Sequence, residues 1–221
     1  MGLNEEGYLS SDISVYPEKI RAHNAEYFKF FDKVHRFCHE KKFLVQPHNR
    51  DGQHVFAVGL SVKLICDVEA AVILMERGLS SQSRSMLRVA TETLIKLANI
   101  CKAYEFVEAY IKTGQHQRLL FVRGMKNNPA PAYDFILPEL TDELIEITKS
   151  ASDKKVAEWA RDAGMSVLYK VPYRLFSQDV HSASASPERY LGANEEGELT
   201  EVNWGPDVLR KSTLNLLKLL V

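Results

Sequence analysis

A single glycine between two long apolar helical patterns constrains this chain more than any other feature. Residues 53–77 are rich in alanine and aliphatic side chains, Gly78 follows at once, and residues 81–103 resume a helical pattern. Glycine ends helices readily in the left-handed conformation, and Ser80 stands where a serine can cap the next helix. So short a connection forces the two helices into an antiparallel hairpin. Ala57, Gly59, Ala70 and Ala71 carry little or no side chain and would let a neighbouring helix come close.

Helical spacing extends through the rest of the chain. After a loosely held arm over residues 1–16, Pro17 fits a first helical turn, and Ile20, Tyr27, Phe31, Val34 and Cys38 recur at helical intervals up to Lys42. A polar loop, Gln46 to Gly52, precedes the hairpin, and a shorter helical piece after it is expected to end at Gly114. The breaker Asn127-Asn128-Pro129-Ala130-Pro131 comes next, then a helix over about 142–163, opened by Thr141 and stopped by Gly164. Pro172 makes the following segment two helices or one kinked helix. Residues 192–206 read as a short loop or hairpin, and Asp207 caps a leucine-rich final helix. No repeat or linker divides the chain. The expectation is one all-α domain over residues 17–221, an up-and-down helical bundle with a helical insertion at 115–165.

A chain of 221 residues can bury a proper core, and a formal net charge of -1 supplies no global field to draw it to nucleic acid or anionic membrane. Cys38, Cys66 and Cys101 are odd in number and widely spaced, which argues against a disulfide framework or a zinc finger and for buried free thiols. The segment Met1 to Gly7 is acidic and lacks the design of a signal peptide, and charges interrupt every apolar run. A cytoplasmic protein without membrane contact is expected.

Chemistry concentrates in the segment Pro172 to His181. Arg174 and His181 are seven positions apart, two helical turns, so their side chains leave a helix on nearly the same face. Histidine can take the proton of a ribose 2′-hydroxyl near neutral pH, and the arginine fork matches phosphate oxygens. Together they make a minimal set for cutting a phosphodiester without a metal. Ser177 and Asp179 lie between them and could orient the imidazole or touch phosphate. A histidine that merely caps a helix C-terminus explains His181 equally well. Arg84, Arg88 and Glu92, four residues apart, share one stripe. They form either a structural ion-pair row, with Glu92 as the nearest partner for a buried arginine, or the wall of a polar site completed by Arg174 and His181.

Two further groups have plain alternatives. Arg118, Arg123 and Lys126, with Lys112, His116 and Phe121, make the best local basic patch, for RNA or simply for solvent. His35, Cys38 and His39 have the spacing of helical metal ligands but lack a third sequence-local donor and any His-Glu-x-x-His, so an ordinary amphipathic helix is expected and no metal or cofactor. Phosphate-loop, dinucleotide and serine-hydrolase signatures are absent.

The order of these features carries a resemblance. Leu74-Met75-Glu76-Arg77-Gly78-Leu79, then Ser83-Arg84-Ser85-Met86-Leu87-Arg88-Val89-Ala90-Thr91-Glu92, and later Tyr169, Tyr173, Ser177 and Val180-His181-Ser182 before a leucine-rich helix, resemble the bacterial "domain of unknown function 5677" family over roughly residues 53–221. That family in turn looks like the HEPN superfamily of helical bundles, many of them ribonucleases of toxin–antitoxin and phage-defence systems. Their motif is an arginine followed, after about four to six residues, by a histidine; Arg174 and His181 fit its long limit, although Leu175 stands where a polar residue is common. The resemblance implies a metal-independent endoribonuclease with Arg174 and His181 catalytic and Arg88, Glu92, Tyr173, Ser177 and Asp179 in support. It also implies a homodimer with a composite site, an RNA substrate and an antitoxin or defence-system partner protein. A non-catalytic helical dimerisation or protein-interaction module is the other reading.

Overall fold

The Gly78 corner has the geometry the sequence calls for. In the computed structural model, which describes residues 6–42, 51–127, 153–181, 190–193 and 199–202, helix α3 (Gly52–Glu76) is followed by helix α4 (Ser80–Lys102) after three residues. Gly78 has φ 73, its N–H donates to the Met75 carbonyl at 2.9 Å, and the Leu79 N–H reaches back to Leu74 at 3.0 Å. This is a Schellman motif, and a side chain at Gly78 would strain it. One detail differs from expectation. Leu79, whose carbonyl accepts from Ser83 at 2.9 Å, is the N-cap, and Ser80 is already inside α4 and buried. The turn is so tight that no residue remains for a side-chain cap.

The hairpin packs along its length. Ala71 is fully buried, and the Ser83 hydroxyl donates to its carbonyl at 2.8 Å, which requires close approach of the two backbones. Gly59, by contrast, faces solvent and contributes nothing to that approach.

Two helices precede the hairpin where one was expected. Helix α1 (Tyr16–His23) and helix α2 (Ala25–Lys42) are separated by Asn24, with φ -118 and ψ 32. Its side-chain amide donates to the Ile20 carbonyl at 3.0 Å, and its own carbonyl accepts from Tyr27 at 3.0 Å and Phe28 at 3.2 Å. One asparagine therefore closes one helix and opens the next, a role suited to a side chain that competes with helical backbone bonding. Ahead of α1, Gly7–Leu9 and Ser11–Val15 form 3₁₀ turns, and the Tyr8 hydroxyl donates to the Gly78 carbonyl at 3.4 Å.

After α4, helix α5 (Glu105–Asn127) runs straight through Gly114 instead of ending there. An exposed helical glycine costs only about 1 kcal/mol against alanine, and Val107, Leu119, Val122 and Met125 bury the face that offsets it. Helix α6 (Val156–Asp162) seats Trp159 and Ala160 against Ile95 of α4, and Gly164, at φ 74, ends it. Helix α7 is one rod of three pieces: Ser166–Leu168, a π-helical turn Tyr169–Tyr173 and an α-helical Arg174–Val180. Pro172 sits inside the π turn; the wider turn accommodates a residue that has no N–H and whose ring crowds an ordinary helix. Strands β1 (Leu191–Ala193) and β2 (Leu199–Val202) pair antiparallel, so a short hairpin does occupy the region where one was expected.

The main core joins five helices: Ile20, Phe28 and Phe31, then Ala71, Val72 and Met75, Leu87 of α4, and Phe176 of α7. A second cluster, Leu60, Ile100 and Val107, fastens α5 to the hairpin. Helix α4 thus packs against α3, α5, α6 and α7, and the described residues form an all-α bundle built around it. Cys66 and Cys101 are exposed and Cys38 is half-buried, which overturns the expectation of buried thiols. Helix α3 is apolar on nearly all sides, so periodicity cannot say which way Cys66 points. Among the described residues no helix is long and apolar enough to cross a membrane. The helix expected over about 142–163 is not continuous, since residues 153–155 are non-helical and Lys155, extended at φ -71 and ψ 150, caps a new helix at Val156; its earlier part and the final helix capped by Asp207 lie outside the described residues.

Candidate active site

Leu87 and Phe176, both fully buried, lock α4 against α7. Their contact brings the polar stripe of α4 up to the inner face of α7, where Tyr173 and Ser177 are one turn apart and Asp179 follows. Two polar groups result.

The first is nearly sealed. Arg84 Nε lies 3.2 Å from Asp179 Oδ2, its Nη2 donates to Oδ1 at 3.3 Å, and the Ser81 hydroxyl donates to the same oxygen at 2.9 Å. The Asp179 side chain has no solvent exposure and that of Arg84 has 9%. Burial pushes the Asp179 carboxyl above its ordinary value, against the pull of Arg84 and Ser81. Asp179 thus holds Arg84; Glu92, the nearest candidate by sequence, does not.

The second group is half-open. Arg88 donates from Nη2 to the Tyr173 hydroxyl at 2.8 Å and from Nε to the Ser177 hydroxyl at 3.1 Å, with Nη1 3.8 Å from Glu92 Oε2. Its guanidinium sits 4.8 Å from the centre of the Tyr173 ring, and Tyr169 stacks on the same ring at 5.2 Å. The Tyr173 hydroxyl donates to Glu92 at 3.4 Å, the Ser177 hydroxyl donates to the Tyr173 carbonyl at 2.7 Å, and Lys96 donates to Glu92 at 2.6 Å. Burial, then the Glu92 charge, raise the Tyr173 phenol, while Arg88 opposes them. The phenol therefore remains a hydrogen-bond donor at neutral pH. Arg88, Glu92, Tyr173 and Ser177, all named from sequence, converge here. Ser81 and Lys96 were missed, because serine and lysine on a helix carry no signal of their own.

Arg174 and His181 lie at the two ends of the last α-helical piece of α7, and both are exposed. Seven residues of helix put them about 10 Å apart along the axis. Among the described residues, neither side chain has a protein hydrogen-bond or ion-pair partner. His181 is the C-cap, its backbone N–H donating to the Ser177 carbonyl at 3.1 Å, a position where the helix dipole favours positive charge.

Elsewhere, Arg118 and Arg123 are exposed on α5, as are Leu120 and Phe121, while Lys126 is in the same helix. Lys112, His116 and Arg123 align at i, i+4 and i+11, whereas Arg118 is rotated by about 140° from Arg123. Between α2 and α3, Glu69 of α3 lies 2.8 Å from His35 and 2.6 Å from His39 of α2. Burial works to raise the Glu69 carboxyl, but the hydrogen bonds to His39 and His35 prevail and hold it below its ordinary value.

Comparison with curated proteins and with solved structures gave no match. The sequence profile described as "Family of unknown function (DUF5677)" matches residues 54–199, well over half of the chain. The match begins at the hairpin, as the resemblance suggested, and stops short of the leucine-rich terminal stretch. It spans α4, α7 and the whole polar site between them, and the chain belongs to this family, DUF5677.

Proposed function

We propose that this protein is a metal-independent endoribonuclease of HEPN type, acting as a homodimer in a toxin–antitoxin or phage-defence setting. One observation carries the reading. The polar side chains on the inner face of α7 are committed to α4, whereas Arg174 and His181 are exposed and uncommitted among the described residues. Reacting groups must be available to a substrate, and a guanidinium held by a buried carboxylate, as Arg84 is, or by two hydroxyls, as Arg88 is, is less so.

His181 takes the proton of a ribose 2′-hydroxyl, and the freed oxygen attacks the adjacent phosphorus. Arg174 stabilises charge on the phosphorane oxygens. The bond to the 5′ oxygen then breaks, and that oxygen receives a proton from an imidazolium. The products are a 2′,3′-cyclic phosphate and a 5′-hydroxyl, and no metal takes part. Arg88, Tyr173, Ser177 and Glu92 hold α7 at a fixed angle beneath the reacting pair, while Arg118, Arg123 and Lys126 offer charge to the RNA backbone.

The test is cleavage of total and structured RNA with a chelator present. Wild-type protein cuts and leaves cyclic phosphate ends, while Arg174→Ala and His181→Ala each lose on the order of 10²-fold or more. Equal cutting by all three proteins, or none by the wild type, overturns the assignment.

A second reading, a dimerisation module without chemistry, is favoured by the outer side of α7. Val167, Val171 and Leu175 are 69%, 51% and 37% exposed there, an apolar strip of the kind that another protein covers. Leu175, unusual for a catalytic motif, fits this strip. Under this reading Val171→Asp abolishes dimers in sedimentation experiments, and no RNA is cut by either protein.

A further inference from the structure

We propose that His35, His39 and Glu69 form a binding site for one divalent transition-metal ion of the zinc class. The site is separate from the α4–α7 face, and its histidines precede the part of the chain matched to the family. It goes beyond the ribonuclease reading and does not depend on it.

The donor set is built from two helices. His35 and His39 stand at i and i+4 on α2, so both imidazoles leave the same side. Their Nε2 atoms approach one carboxylate oxygen of Glu69, across on α3, at 2.8 and 2.6 Å. The three donor atoms all lie within 4.8 Å of one another. Zinc bonds to nitrogen and oxygen donors are about 2.0–2.2 Å long, so tetrahedral ligands sit about 3.3 Å apart. Admitting an ion therefore asks the two nitrogen–oxygen contacts to open by about 0.6 Å and the two imidazoles to draw together to a similar spacing, movements that side-chain rotations of Glu69, His35 and His39 supply.

The surroundings favour a coordinating role. The Phe31 ring stacks on His35 at a centroid distance of 5.4 Å and restrains that imidazole. The two imidazole centroids are 4.3 Å apart. All three side chains are one third exposed, between 32% and 38%, so an ion can enter without unfolding the bundle. A cavity of about 210 Å³, lined by His35, Glu69, Cys38, Val34 and Ile65 among others, adjoins two of the three donors and leaves room for a water as fourth ligand. Two imidazoles with one carboxylate suit zinc, nickel or copper and disfavour calcium and magnesium, which take oxygen donors. A bound ion would clip α2 to α3, joining residues 30 and 34 positions apart.

The experiment uses the full chain without an affinity tag, stripped by chelator and titrated with Zn²⁺ in a calorimeter and with Co²⁺ in a spectrophotometer. One ion binds per chain, Co²⁺ gives the visible bands of a low-symmetry four- or five-coordinate site, and Zn²⁺ raises the melting temperature. His35→Ala, His39→Ala and Glu69→Gln each weaken binding by at least about tenfold. Far-UV circular dichroism shows which variants keep the fold, and the near-isosteric Glu69→Gln decides if a histidine variant does not. Absence of Zn²⁺ and Co²⁺ binding by the wild type, or undiminished binding by a folded variant, overturns the proposal. Neither result bears on RNA cleavage, which is measured with chelator present.

Discussion

Replacing Asp179 with alanine takes away the carboxylate that α7 presents to the Arg84 guanidinium. The pair is occluded, with 0% exposure on the aspartate and 9% on the arginine, and the Ser81 hydroxyl loses its acceptor as well. Removing one member of such a pair leaves the other in a poorly solvated site without that counter-charge, which costs about 3–5 kcal/mol. Arg84 retains a sliver of exposure, so the lower end applies, about 3 kcal/mol. For a chain of this size each kcal/mol lowers the melting temperature by about 2–4 °C, which amounts to about 6–12 °C here. The assay is urea denaturation followed by far-UV circular dichroism, with unchanged slope as evidence that only stability moved. The double variant Arg84→Met with Asp179→Leu should recover most of the loss, since an apolar pair of similar volume needs no compensation. A loss below about 1 kcal/mol for Asp179→Ala, or a double variant as unstable as the sum of its singles, would refute the reasoning.

The Tyr173 phenol should resist ionisation as pH rises past 10.0, because burial and then Glu92 raise it. Its folded value exceeds the unfolded one, so its contribution to stability is complete below about pH 10 and is lost as pH climbs through the folded value. A phenolate absorbance titration should lose amplitude above pH 10.0 in Tyr173→Phe; an unchanged curve sinks the assignment. Native-state alkylation read by mass spectrometry should label Cys66 and Cys101 before Cys38, and the reverse order would contradict their exposure.

The α3–α4 corner was legible because its stop requires a left-handed residue, and Gly78 is one of few that adopt that state without strain. The break at Asn24 was not, since apolar spacing runs unbroken across it and an asparagine inside a helical pattern carries no orientation. Gly114 misled in the opposite sense: a breaker signal worth about 1 kcal/mol yields to the packing of a long apolar face. Within the site, Arg88 and Glu92 were readable because four-residue spacing is local. The Arg84–Asp179 pair spans 95 positions, and the His39–Glu69 contact 30, so no helical period relates their members. Which carboxylate meets which cation is decided by the bundle.

The π turn at Tyr169–Tyr173 sets the phase of everything after it. Tightening it to an ordinary helix with all five residues kept would wind its surplus residue into the α-helix and swing the downstream segment by about 100°. Phe176 would leave its socket, Asp179 would desert Arg84, and the guanidinium and imidazole at the ends of that segment would be carried to another flank of the protein. The width of this one turn acts as an indexing tooth: substitutions elsewhere on α7 change what a face carries, whereas loss of the wide turn changes which face is presented.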